Sequence, residues 1–251
     1  MSIPDTELTE DAFLGGLLTL WQPRRGYRAG LDAVLLAASI RAEVGQSVLD
    51  MGCGVGTALL CLGRRVSGLS LTGLELQPDM AELARRNAER NGLEAEIVTG
   101  DIGTMPATLR QQRFDRIIAN PPYYDRGRGT ASPETRRETA LGEALPLADW
   151  VAAGARRLEP RGTMTVIQKA DRLPDLVGAM ADTLGSLVIR PIAPRAGRDA
   201  TLVLVEGVKS GRSPARIAAP ILLHRGKSHS ANAPDFAPNI EAVLRNGAAL
   251  D

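Results

Sequence analysis

The short apolar strand Ser47-Val48-Leu49-Asp50-Met51 runs straight into Gly52-Cys53-Gly54-Val55-Gly56 and then into an amphipathic helix from 57 to about 66. No other feature constrains the fold so tightly. The strand–turn–helix unit recurs along the chain. Residues 69–76 read as the next strand, and the helix 79–91 follows. Pro78 sits at its start, where a missing N–H costs nothing, and Gly92 suits a left-handed stop. Residues 96–99 and 114–119 read as further strands. A helix over 147–158 is closed by Pro160 and Gly162, and a strand over 163–168 and a helix over 172–184 come after it. Strands at 187–192 and 201–208 are joined only by the loop 193–200, so they pair as an antiparallel hairpin at one edge. The alternation predicts an α/β fold with a mostly parallel seven-stranded sheet and helices on both faces. Three stretches divide the chain: an N-terminal segment 1–45, the sheet domain 46–208, and a basic C-terminal extension 209–251. The segments 125–137 and 210–238 are the least regular, and the first is placed as a substrate loop.

Composition narrows the function classes. No run approaches the roughly 18 apolar residues of a membrane span, and the acidic start (Asp5, Glu7, Glu10, Asp11) is unlike a secretory signal, so a cytoplasmic protein is expected. Cys53 and Cys61 are too few for a disulfide framework and have no metal-ligand partners at useful spacing. They are expected to be buried thiols, with no metal site. Aromatic residues are scarce, with three Phe, three Tyr and two Trp, so a Tyr near a functional loop stands out. The net charge of +1 hides an asymmetry. Between residues 190 and 232 eight Lys/Arg face only Asp199 and Glu206, which makes that block +6 and the remainder −5. Such a block permits a polyanion partner and equally describes a solvated loop. His224 and His229 lie within it and are expected to be solvated, with no catalytic duty.

The glycine-rich turn calls for a ligand that approaches backbone closely. Dinucleotide enzymes place G-x-G-x-x-G here. In this chain the glycines alternate (Gly52, Gly54, Gly56), Thr57 stands where the last dinucleotide glycine would be, and Asp50 precedes the first glycine by two residues. A carboxylate at the turn suits a cationic ligand and would repel a pyrophosphate. Glu75, 23 residues beyond Gly52 at the end of the second strand, can accept both hydroxyls of a ribose. Leu76 follows it, and Asp101-Ile102 follow the third strand. Taken singly, each has a structural reading as a common turn or a helix cap; together they form one ligand site at successive strand ends.

Asn120-Pro121-Pro122-Tyr123 directly follows the fourth strand. The prolines remove two N–H groups and leave their carbonyls free to accept. An exocyclic nitrogen on a planar ring is a poor nucleophile because its lone pair is delocalised. The Asn120 side-chain oxygen and the Pro121 carbonyl can each accept one of its N–H bonds and favour a nitrogen turned toward tetrahedral geometry. Tyr123 can stack on the ring, a contact worth about 1–3 kcal/mol. No strongly basic group is required, because the nitrogen becomes acidic once alkylated. The plain alternative is a rigid Pro-Pro turn with Asn as a cap.

These motifs together resemble class I S-adenosylmethionine-dependent amino-methyltransferases of Rossmann-like fold. The D-x-G-x-G-x-G turn and Asn120-Pro121-Pro122-Tyr123 carry the resemblance, which implies adenine-N6, cytosine-N4, guanine-N2 or glutamine-amide chemistry. The stretch Thr9-Glu10-Asp11-Ala12-Phe13-Leu14-Gly15-Gly16, with Gln22-Pro23-Arg24-Arg25-Gly26-Tyr27-Arg28-Ala29-Gly30-Leu31-Asp32, is similar to the opening of the bacterial tRNA(Val) adenine-N6 methyltransferases. That resemblance runs from about residue 9 to 208. It implies that the N-terminal segment covers the cofactor and that Tyr27, Asp32, Asp50, Gly52, Gly54, Gly56, Glu75, Leu76, Asp101, Ile102 and Asn120 border S-adenosylmethionine. It also implies that Asn120, Pro121, Pro122 and Tyr123 carry the reaction on an anticodon-loop adenine. For Asp32 a helix-terminal acid favoured by the macrodipole is the alternative. Tyr124, Arg126, Arg128, Arg195 and Arg198 are placed against RNA, and Arg24, Arg25 and Arg28 are further phosphate candidates. The loop after Tyr124 is more basic than the family pattern, and the tail matches poorly. Ribosomal RNA or protein glutamine as substrate, a cofactor-binding RNA module without turnover, and a nicotinamide enzyme stand as alternatives.

Overall fold

The computed structural model describes residues 3–26, 28–122, 145–226 and 235–250. Eleven strands can be followed among them: β1 (Leu8–Phe13), β2 (Leu18–Pro23), β3 (Ser47–Met51), β4 (Ser70–Glu75), β5 (Ala95–Thr99), β6 (Phe114–Ala119), β7 (Leu158–Lys169), β8 (Gly185–Ala193), β9 (Leu202–Val208), β10 (Arg216–Ile217) and β11 (Ile221–Leu222). The helices are α1 (Leu31–Ser39), α2 (Thr57–Arg65), α3 (Pro78–Arg90), the single turn α4 (Ala107–Arg110), α5 (Leu147–Arg157), α6 (Leu173–Ala181) and α7 (Pro238–Asn246). The central sheet has the order β10-β8-β9-β7-β6-β3-β4-β5, with β11 also on β8. β3 pairs in parallel with β4 and β6, while β9 runs antiparallel between β7 and β8. This is the expected seven-stranded sheet with its antiparallel hairpin, lengthened by two short strands at the β8 edge.

The sheet buries both faces, as its unbroken apolar strands require. Val48, Ile118, Ile167 and Leu204 pack with α1, α2 and the alanines of α3 on one side. Leu49, Met51, Ile117, Met164 and Val205 pack with Trp150, Val151, Leu176 and Met180 on the other. The alternation of neighbouring residues between the two cores is the period-2 geometry of a strand.

Three local expectations change. β7 begins at Leu158, so Pro160 and Gly162 lie inside the strand; the pairing register with β6 shifts between Phe114 and Arg116, and Arg161 takes φ 66°. A β-bulge accommodates residues that would otherwise end a strand. The helix expected over 172–184 is a 3₁₀ turn (Ala170–Arg172) followed by α6, which stops at Ala181. The tail also contributes regular structure: β10 and β11 add to the sheet, and α7 packs Ile240 and Val243 into the core. The hairpin β1/β2 has no counterpart in the sequence reading. Cys53 and Cys61 are both buried, and burial pushes the Cys61 thiol up to about 12. Among the described residues no helix is long and apolar enough to cross a membrane, and no group of three His, Cys, Asp or Glu could hold a metal ion.

Candidate functional site

Four parallel strands, β5, β4, β3 and β6, end side by side, because Met51 pairs with both Leu74 and Ala119 and Glu75 pairs with Thr99. Everything that follows them in sequence therefore gathers at one sheet edge, where open α/β sheets bind ligands. The glycine turn follows β3, Leu76 follows β4, Asp101 follows β5 and Asn120 follows β6.

The turn is held by N–H donation from Gly52 (2.7 Å) and Cys53 (3.1 Å) to the Leu74 carbonyl. Gly52 has φ 70°, and a Cβ there would lie 2.6 Å from the Trp150 ring, so both conformation and space exclude a side chain. Gly54, with φ 56°, would place a Cβ in open space, on the side where a ligand can approach the backbone. Its N–H donates to Glu75 Oε2 at 2.8 Å, and Gln77 N–H donates to Oε1 at 2.9 Å. Glu75 thus anchors the turn as well as facing the edge, a role that strand position alone does not reveal. Trp150, 8% exposed on α5, is a second unforeseen member of the site.

Asp50 and Glu75 form a buried acidic pair. Burial raises the Asp50 carboxyl most; the Leu59 N–H opposes it and the charge of Glu75 adds to it, leaving the group pushed up to about 8. Burial also raises Glu75, against the N–H groups of Gln77, Gly54 and Leu76 that favour its anion. A cation placed beside two such groups recovers the electrostatic energy lost on burial. Leu76 is 42% exposed at the end of β4 and offers an apolar platform; after β5, Asp101 is exposed and the next residue, Ile102, is buried. Asp101 Oδ1 accepts the Gly103 N–H at 2.7 Å. A glycine backbone open to a ligand, a carboxylate pair that favours a cation, and an apolar shelf together fit the adenosine and methionine parts of S-adenosylmethionine.

Asn120 is partly buried, Pro121 is buried and Pro122 is exposed. With no N–H at Pro121 or Pro122, β6 cannot continue its ladder with β7 beyond Ala119. Gln168, 3% exposed near the end of β7, supplies the missing donor: its Nε2 donates to the Pro121 carbonyl at 3.4 Å, and its Oε1 accepts the Lys169 N–H at 2.9 Å. Nothing in the local sequence marks this glutamine, since its role comes from the strand register. Tyr27, Tyr123, Tyr124, Arg126 and Arg128 lie outside the described residues.

Asp32 occupies the first turn of α1, where the macrodipole favours an acid. Arg198 is exposed in the β8–β9 loop, whereas Arg195 pairs with Asp235 at 2.5 Å and also donates to the Arg225 carbonyl. Arg28 is likewise engaged, with Asp11, Thr9 and the Pro23 carbonyl, and Arg24 donates to the Thr6 carbonyl. His224 is half-buried and stacks on Phe236 at 5.0 Å, so it is not a freely solvated side chain. His229 lies outside the described residues.

The methyltransferase small domain family matches residues 29–187, more than half of the chain. A tRNA1(Val) (adenine(37)-N6)-methyltransferase of Porphyromonas gingivalis is 34% identical over 158 residues, 59% of this chain and 61% of that protein. The chain thus spans about three fifths of that relative's length. One of the same name from Cronobacter sakazakii is 31% identical over 66% of the chain and 69% of its own length. One from Bacteroides fragilis is 26% identical over 82% of the chain and 89% of its own length. Among solved structures, a predicted O-methyltransferase of Agrobacterium tumefaciens superimposes with TM-score 0.69 at 24% identity, over 87% of this chain and 98% of that one. The Thermus thermophilus 16S rRNA N2 G1207 methyltransferase, solved with AdoMet and guanosine, gives TM-score 0.56 at 20% identity, over 80% of this chain and 50% of that one. Both structures show a shared fold.

Proposed function

The chain belongs to the methyltransferase small domain family, and from that premise we propose that it transfers a methyl group from S-adenosylmethionine to the N6 amine of an adenine in tRNA, as its relatives' names describe. A cytoplasmic location goes with that substrate. The observation that carries the reading is the placement of Asn120-Pro121 at the end of β6, beside the glycine turn that ends β3.

When bound, S-adenosylmethionine supplies a methyl group on a sulfonium sulfur. Asp50 and Glu75 would hold the cationic and ribose parts, the backbone at Gly52, Gly54 and Gly56 would admit them closely, and Leu76, Asp101 and Ile102 would border the adenine. The Asn120 amide oxygen and the Pro121 carbonyl accept the two N–H bonds of the target amine, aiming its lone pair at the methyl. Gln168 fixes the direction of the Pro121 carbonyl. Tyr123 takes the stacking role, and Arg126, Arg128 and Arg198 the phosphates. Positioning of this kind supplies most of the acceleration, since no proton need leave before the C–N bond forms. An anticodon-loop adenine is already unpaired, so capturing it costs little unstacking energy.

The test is incubation with labelled S-adenosylmethionine and total tRNA from cells lacking the protein, followed by nucleoside mass spectrometry. N6-methyladenosine is expected, with Asn120→Ala lowering its formation by about 100-fold or more, the scale for removing one preorganised hydrogen-bonding group. Label in ribosomal RNA or protein with none in tRNA would overturn the substrate and leave the chemistry. No transfer to any of the three would overturn the reaction.

A further inference from the structure

At the opposite, amino-terminal edge of the sheet two chain junctions converge. Phe114, the first residue of β6, pairs with Leu158, the first residue of β7. Arg113 immediately precedes Phe114, and Arg156 and Arg157 immediately precede Leu158 as the last turn of α5. Arg110 ends α4 three residues before Arg113. The register of a single strand pair thus sets the backbone of Arg113 beside that of Arg157, and Arg110, Arg113 and Arg156 are near enough for their charges to act on Arg157, although the two segments lie more than forty residues apart in sequence.

Among the described residues none of the four forms an ion pair with an acid. Arg110, Arg113 and Arg156 are exposed, and among the described residues the bond formed by Arg113 is donation to the neighbouring Gln112 carbonyl at 3.0 Å. Asp115, the carboxylate nearest in sequence to Arg113, is engaged by the N–H and hydroxyl of Ser47, both at 2.8 Å. Arg157 is half-buried, and its Nη1 has no hydrogen-bond partner. Burial and then the charges of Arg113, Arg156 and Arg110 hold its guanidinium below the ordinary value. A solvated basic face would spread its charges apart, whereas the Arg157 guanidinium is held partly buried with Nη1 unpartnered. The C-terminal dipole of α5 favours Arg156 and Arg157 and leaves Arg110 and Arg113 unexplained.

We infer that Arg110, Arg113, Arg156 and Arg157 form a phosphate-binding surface for the stem of the RNA whose target base lies at the other end of β6, an inference that rests on the RNA reading above. Guanidinium groups match phosphate oxygens bidentately and are weakly hydrated, which suits a partly buried cluster. Asn120 lies seven residues from Arg113 along β6, about 23 Å at strand rise. A span of that length is several nucleotides of duplex measured from the target base, so the stem adjoining the loop reaches the cluster. Ala148 and Asp149 are exposed on α5 and Ala152 is half-buried, so that surface offers short side chains together with one acid, Asp149, that opposes a phosphate.

The test compares wild type with R110Q/R113Q/R156Q/R157Q and with R110Q/R113Q/R156Q, which spares the half-buried Arg157 and keeps the test valid if the quadruple variant folds poorly. Full-length tRNA binding is measured against salt, together with methylation kinetics and S-adenosylmethionine affinity. Each lost phosphate contact lowers the log–log salt slope by about 0.7–0.9, so a fall of about 2–3 is expected. KM for tRNA should rise at least tenfold with kcat and cofactor affinity unchanged. A loop fragment too short to span about 23 Å should be bound equally by all three proteins. Unchanged slope and KM, while wild type binds and methylates tRNA, would overturn the surface and leave the proposed function intact. An equal loss on the short fragment would place the arginines at the target base instead, which also overturns it. Loss of binding to phosphatidylglycerol vesicles with unchanged tRNA binding would assign the patch to a membrane. If wild type binds no RNA at all, both proposals fall together.

Discussion

Asp50, proposed to face the cofactor's cation, carries a cost of burial that titration can read. Its carboxyl is 3% exposed and pushed up to about 8 from an ordinary 3.8. A folded-state value above the unfolded one means that the folded protein holds the proton more tightly. The associated stability is complete below pH 3.8 and is lost as pH rises through about 8. Asp50→Asn carries no charge to desolvate, so its melting temperature should exceed that of wild type at pH 8, with the gap closing toward pH 4. The same variant should bind S-adenosylmethionine more weakly. In wild type the cofactor's cation selects the ionised carboxylate, so affinity should rise with pH up to about 8, with release of about one proton. Calorimetry in buffers of different ionisation enthalpy reads that proton; none released, or a variant less stable at pH 8, would contradict this account. Asp50 and Glu75 were legible in the sequence because they sit at fixed offsets from the glycines. Gln168 and Trp150 were not, since they meet the site only through strand register and helix packing.

The hairpin β1/β2 is joined to the cofactor turn through α3. Asn87, fully buried, accepts the Trp21 N–H at 2.8 Å and donates to the carbonyls of Trp21 (3.1 Å) and Val55 (3.0 Å), the latter inside the glycine turn. Asn91, one helical turn later, makes the equivalent pair with Thr19 at 3.0 and 2.9 Å and does not reach the turn. Arg86 and Arg90 cover the Trp21 ring at 4.4 and 4.7 Å. Asn87→Ala leaves buried backbone groups unpaired, for a cost of about 2–3 kcal/mol, or roughly 4–12 °C in melting temperature for a domain of this size. It should also weaken cofactor binding, whereas Asn91→Ala should destabilise while leaving that affinity unchanged. Equal affinity losses in the two variants would show that the hairpin acts only on global stability. The helix α3 was readable from Pro78 and Gly92. The hairpin was not, because Thr9, Glu10 and Asp11 hide its alternation, and the buried Gln22 looks polar until its bonds to Asp11 and Ala29 are seen.

Across the whole molecule, the tail closes on the body through charge. Arg195 and Asp235 are 12% and 16% exposed and join the β8–β9 loop to the segment before α7. Leaving one partner of such a pair behind is far more damaging than losing a surface ion pair. Arg195→Ala should therefore lower stability by about 2 kcal/mol or more, while Arg198→Ala should leave the melting temperature unchanged and weaken tRNA binding. The reverse pattern, read by thermal unfolding and salt-dependent binding, would restore Arg195 to the RNA-contacting set.

The sequence alone determined the α/β alternation, the sheet with its antiparallel hairpin, and the placement of the glycine turn, Asp50, Glu75 and the Asn-Pro-Pro motif at successive strand ends. Each of these is written in spacings of a few residues, where backbone conformation and strand period act locally. Only the tertiary structure decided that Gln168 supports Pro121, that Asn87 ties the hairpin to the turn, that Arg195 is held by Asp235, and that four arginines meet at the amino edge. Those pairings join residues roughly 30 to 70 positions apart. They depend on which strand lies beside which, and that order follows from burying both faces of one sheet at once.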